Sequence, residues 1–215
     1  MKKKFFLLII IFVSLFYLSK NEKEEINLVI IDSGINRDLE KELPKNIIIK
    51  HYNSQDNDNN HADLVLQLLL DNLKHIETQK LIIHDIIITD SNRVSVEALY
   101  DSLKVAKNLE PDIINLSLGV SYDDENIRNI IEDLISDGVT VVAAAGNKFG
   151  MTAQYPARYD NVISVGSLDK KGDISSFSAR KNVDEYRIGE YNLFSGTSFS
   201  TPIVTAEIIN GFFEN

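Results

Sequence analysis

Val29-Ile30-Ile31-Asp32-Ser33-Gly34 is the stretch that sets the fold. Residues 26–31 are apolar but for Asn27, with charge before them and Asp-Ser-Gly after them. A strand that is apolar on both faces belongs in the interior of a parallel sheet. An aspartate where such a strand ends lies at the carboxyl edge, where open α/β sheets bind their ligands.

Reading outward, short β-branched runs recur at 47–49, 81–88, 113–118, 139–145 and 162–165, the last of which closes the series of strands. Between them lie segments of helical spacing. His61 opens one with Leu64, Val65, Leu68, Leu69 and Leu73 on one face, and 66–80 reads as an extended helix. Residues 95–109 and 123–135 form two more, the latter opened by acidic side chains and closed by Asp137-Gly138. A final helix follows Ser198. Strands alternating with helices imply an α/β fold: a mostly parallel sheet covered by helices on both faces, three layers in all. A single domain spans 26–215.

The composition narrows the function. With 22 basic and 32 acidic residues the net charge is −10, which excludes a nucleic-acid ligand. There is no cysteine, hence no disulfide, thiolate metal site, cysteine nucleophile or acylated cysteine anchor. Met1-Lys2-Lys3-Lys4 precedes fifteen uncharged, mostly apolar residues. This pattern predicts a signal peptide or N-terminal membrane anchor over 1–19, with 20–25 as a short linker. The lysines stay inside, so the globular part is expected to be exported, either secreted or anchored outside the cytoplasmic membrane.

Four groups carry candidate chemistry. Gly196-Thr197-Ser198 runs straight into the last helix, so the Ser198 hydroxyl lies in the field of a helix N-terminus. Asp32 ends the first strand, and His61 opens a helix after a polar loop. Strand 139–145 ends in Gly146-Asn147, which presents an amide at the same sheet edge. Asp, His and Ser in this chain order match one known order of the serine triad, that of subtilisin.

The chain resembles the subtilisin-like serine proteases, the subtilase family. The resemblance rests on Asp32-Ser33-Gly34, His61, Ile114-Asn115-Leu116-Ser117-Leu118-Gly119, Ala144-Ala145-Gly146-Asn147, Tyr155-Pro156-Ala157, Val165-Gly166, Phe177-Ser178 and Gly196-Thr197-Ser198, in the family's order. It implies a serine endopeptidase with Ser198 as nucleophile, His61 as base and Asp32 as its orienter. Asn147 and the Ser198 N–H would bind the oxyanion. Ser117, Leu118 and Gly119 would pair with extended substrate. Lys148 and Gln154 would shape a shallow first specificity pocket that disfavours large apolar or basic side chains. The implied partner is a peptide or protein substrate of a monomer that uses no cofactor and no metal.

The chain departs from the family around the histidine, where His61-Ala62-Asp63-Leu64 replaces His-Gly-Thr-His. Ala62 is expected to restrict close approach, and Asp63 to raise the pKa of His61. The family's calcium-binding loop after the histidine is missing, and 20–25 leaves no room for a prodomain. These features resemble the small leader-peptide proteases of lantibiotic biosynthesis. A catalytically inactive, peptide-binding descendant is the alternative.

Overall fold

A computed structural model describes residues 25–52, 60–74, 80–88 and 94–213. The expected signal or anchor, 1–19, lies outside these residues, as does the linker except for Glu25, which begins the first strand. Among the described residues no helix is long and apolar enough to cross a membrane.

Seven strands form one sheet: β1 (Glu25–Asp32), β2 (Ile47–Tyr52), β3 (Lys80–Ile87), β4 (Ile113–Leu116), β5 (Thr140–Ala144), β6 (Ile163–Leu168) and β7 (Glu185–Ile188). Their order is β2-β3-β1-β4-β5-β6-β7, and every neighbouring pair is parallel. The order turns back on itself at β1 and β4, which is where α/β sheets open a crevice. A small antiparallel hairpin, β8 (Glu190–Tyr191) with β9 (Phe194–Ser195), precedes the last helix.

Among the described residues, four α-helices divide between the faces as the alternation of β1 dictates. α1 (His61–Asn72) and α4 (Thr197–Phe213) bury Ala62, Leu66, Leu69, Val204 and Ile209 against Leu28 and Ile30. α2 (Val96–Lys107) and α3 (Glu125–Ser136) bury Leu99, Leu103, Ile127 and Ile131 against Val29 and Ile31 on the other face. Asp124 caps α3, its Oδ1 accepting the N–H groups of Asn126 and Ile127 at 3.0 and 3.1 Å.

Two elements differ from the sequence reading. α1 stops at Asn72, and Leu73 is already extended. Asn210 of α4 accounts for the stop: its amide donates to the Asn72 carbonyl at 3.0 Å and its Oδ1 accepts the Lys74 N–H at 2.7 Å. These contacts satisfy the helix end, which apolar spacing alone would have carried on. β7 lies beyond the strand expected to be the last. Among the described residues it is an edge strand, paired only with β6, and its Glu-Tyr-Arg-Ile has no apolar run to mark it.

Candidate active site

Three strand ends and two helix starts converge at the carboxyl edge of the sheet. Asp32 ends β1, and Ser117 follows β4. Asn147 lies three residues past β5, while His61 and Ser198 stand in the first turns of α1 and α4.

Asp32 and His61 meet directly. His61 Nδ1 is 2.7 Å from Asp32 Oδ1, and the same oxygen accepts the Ser33 N–H at 2.7 Å. The carboxylate is buried and the imidazole half-buried. With Nδ1–H given to Asp32, the other ring nitrogen, Nε2, carries the lone pair. Ser33 Oγ accepts the Ala62 N–H at 3.0 Å, which ties the start of α1 to the end of β1.

Burial is the strongest influence on His61 and pushes its pKa down; the hydrogen bond and the negative charge of Asp32 together outweigh it, and the imidazole ends above its ordinary 6.5. The expectation for Asp63 is therefore corrected. Its Oδ1 accepts the Asn36 N–H at 2.8 Å, and it is not among the groups that shift His61. Ala62 likewise has no room to face a ligand: it is fully buried in the core between α1 and β1.

Ser198 and Asn147 form the second half. A methyl group placed on Gly196 would lie 3.2 Å from Asn147 Nδ2 and 3.5 Å from Ser198 Oγ, so the amide and the hydroxyl face one small space. The Asn147 amide is oriented by Thr197. The Thr197 N–H donates to Asn147 Oδ1 at 3.0 Å, and its hydroxyl donates to the same oxygen at 3.3 Å. That hydroxyl accepts the Gly146 N–H at 3.0 Å. A backbone N–H can only donate, so Oδ1 must face Thr197 and the NH₂ must face away. The role of Thr197 is invisible in sequence because it depends on which way the amide points.

Phe199 joins the two halves: its ring centroid is 5.4 Å from that of His61, and Phe194 of β9 lies 6.2 Å behind it. Helix α4 thus carries Ser198 and also the aromatic wall beside the imidazole.

The expected substrate-binding residues flank this centre. Ser117 is buried, its Oγ accepting from Asn115 Nδ2 at 3.0 Å, while Asn115 Oδ1 accepts the Thr205 hydroxyl of α4 at 2.8 Å. Leu118 and Gly119 are partly exposed. They lead to Val120, whose N–H donates to the Tyr155 carbonyl at 2.7 Å. Gln154 packs over Gly146, where a Cβ would fall 2.2 Å from its Oε1, and its Nε2 donates to Ser121 Oγ at 3.3 Å. Only a glycine at 146, with φ +93°, admits that side chain. Lys148 is exposed at the rim. Among the described residues, no group of three or more acidic or histidine side chains is placed to hold a metal.

This fold and this set of side chains define a class. The chain belongs to the Subtilase family, whose model matches residues 24–208. It is 34% identical over 121 residues to subtilisin Savinase of Lederbergia lenta, a match covering 51% of this chain and 45% of that protein. The chain thus spans less than half the length of that relative. Among solved structures it is similar in fold to the prenylagaramide maturation protease PagA, with a TM-score of 0.69, 22% identity and coverage of 88% of this chain and 76% of that one. A lanthipeptide protease superposes with a TM-score of 0.68 at 18% identity, covering 84% of this chain and 71% of the other.

Proposed function

We propose that this chain is a serine endopeptidase, with Asp32, His61 and Ser198 as its triad and Asn147 as oxyanion donor, and that its substrate is the leader of an exported bacteriocin-type peptide. The observation that carries the reading is the oriented pairing at both halves of the site: His61 Nδ1 on Asp32 at 2.7 Å, and the Asn147 amide held by Thr197 beside Ser198 Oγ. The leader reading is favoured by a fold shared with a lanthipeptide protease and a prenylagaramide maturation protease.

In this reading His61 Nε2 takes the Ser198 proton as Oγ attacks the scissile carbonyl, and then gives it to the leaving amine. Asp32 holds the Nδ1–H tautomer and stabilises the imidazolium. The Asn147 NH₂ and the Ser198 N–H, in the first turn of α4, receive the charge that develops on the carbonyl oxygen. Water then attacks the acyl-enzyme by the same route. Residues 26–215 act as the peptidase domain, and 1–19 bring it to, or hold it at, the outer side of the membrane.

Two measurements follow. Cleavage of a peptide library by the full chain, mapped by mass spectrometry, should give internal cuts that are absent with Ser198→Ala. Gln154 fills the floor over Gly146, so small residues should dominate before the cut, whereas a profile dominated by Phe or Leu contradicts the pocket.

The second concerns pH. His61 must be neutral to act as base, so the acid limb of kcat/KM should have its midpoint above 6.5. Stability should respond in the opposite sense. The fold favours the imidazolium more than the unfolded chain does, so the His61–Asp32 contribution is fully present below about pH 6.5 and fades as pH rises through the raised value. An acid limb centred at or below 6.5 would contradict the pairing.

A further inference from the structure

Three titratable groups beside Asp32 take no part in the proposed reaction. His51 of β2 is the register partner of Asp85 on β3. Its Nδ1 is 2.8 Å from Asp85 Oδ2, and its Nε2 is 2.7 Å from Glu40 Oε1, on a short 3-10 helix at Leu39–Glu42. Asp85 is fully buried, and its Oδ2 also accepts the Ile35 N–H at 3.0 Å. Ile35 lies three residues past Asp32, so Asp85 grips the turn that leaves the triad carboxylate. Asp85 is moreover the register partner of Ile30 on β1. Alternate residues share a face, so Asp85 and Asp32 stand on the same face of the sheet, one strand apart. The charged groups that bear on this cluster are Glu40 from the 3-10 helix, His51 from β2, Asp85 from β3 and Asp32 from β1.

A proton count gives the cluster its meaning. Ionised carboxylates only accept, so each of the two imidazole contacts needs a hydrogen, and a neutral ring has one N–H. Both contacts exist together only when the array holds a second proton, as an imidazolium between two carboxylates or as a neutral ring beside one carboxylic acid. Loss of that proton sets two lone pairs against each other and adds a negative charge beside Asp32. The surroundings resist that charge. Asp85 Oδ1 and Asp32 Oδ2 are buried without a hydrogen-bond partner among the described residues. Burial pushes the Asp85 carboxyl above the usual carboxylate range and Asp32 adds to the push, against the opposing pull of the Ile35 N–H and His51.

We propose that Asp85 and His51 are positioning residues for Asp32: they clamp the turn from Ser33 to Glu40 behind the triad carboxylate, and they do so only while the Glu40–His51–Asp85 array keeps its second proton. The catalytic consequence rests on the triad reading of Asp32; the clamp itself does not.

The test is hydrogen–deuterium exchange of the full chain, read on peptides covering residues 33–40. It runs from about pH 5 to about pH 9, with intrinsic base catalysis corrected for. Fluorophosphonate labelling is timed in parallel. In the wild type, protection should fall about tenfold towards alkaline pH, the scale of one lost hydrogen bond, and the labelling rate, having risen through the His61 acid limb, should fall again with it. Glu40→Gln should abolish the alkaline fall in both and leave the His61 acid limb of labelling in place, because a glutamine NH₂ donates to the lone pair of a neutral ring and no second proton is needed. His51→Phe should be poorly protected at every pH.

Glu40→Gln keeping the wild-type pH dependence overturns the proposal, as does His51→Phe with wild-type protection. If His51→Phe does not fold, the comparison of wild type with Glu40→Gln decides. A wild type labelled at every pH with no alkaline fall overturns the positioning role. A wild type never labelled, with the exchange pattern intact, instead overturns the triad reading and leaves the clamp standing.

Discussion

Ser198→Ala is expected to lower kcat by about 10⁶, with KM little changed; the size is carried over from subtilisin, a member of the same family in which it has been measured. The geometry explains why the loss should fall on turnover. Substrate would be held by the 117–119 segment and the pocket beside Gln154, whereas the Ser198 hydroxyl would make the covalent bond to it. Without Oγ there is no acyl-enzyme, and the oriented pair His61–Asp32 has no proton to move. His61→Ala should cost about as much, and the double variant no more than either alone, because nucleophile and base act as one unit. Additive losses would mean that the two residues work in separate steps.

The second large effect is Asp32→Asn, expected to lower kcat by about 10⁴. Asp32 Oδ1 receives two donors at once, the Ser33 N–H and His61 Nδ1–H, each at 2.7 Å. An asparagine can keep its oxygen on both but supplies no charge for the imidazolium. If its NH₂ turns towards His61 instead, Nδ1 must become the acceptor and Nε2 carries the hydrogen, the wrong tautomer for a base. Since the hydrogen bond and charge of Asp32 are what lift His61 above 6.5, the variant's acid limb should also move down. Activity lost without movement of that limb would mean that Asp32 serves the fold and not the imidazole.

Much of this candidate site was legible in the sequence because its residues stand where local signals are strongest. Asp32 ends an apolar run, Asn147 follows a β-branched strand and a glycine, and Ser198 opens an apolar helix. What escaped depends on contacts between distant segments. The end of α1 is fixed by Asn210, 138 residues from the carbonyl it caps. Strand β2 runs to Tyr52 because Lys50, His51 and Tyr52 pair with β3, although the apolar run ends at Ile49. His51 therefore lies within a strand and faces Asp85, a partnership that no spacing in the chain announces. Asp63 misled for a related reason: two residues from His61 in sequence, it turns instead to the backbone of Asn36.

Whether Ser198 is a nucleophile activated by His61 can be read by mapping a fluorophosphonate adduct on the intact protein by mass spectrometry. One stoichiometric adduct is expected on Ser198 in the wild type and none in Ser198→Ala, with labelling slowed in His61→Ala by the same order as turnover. A folded wild type that forms no adduct, or forms it on another residue, would contradict that role.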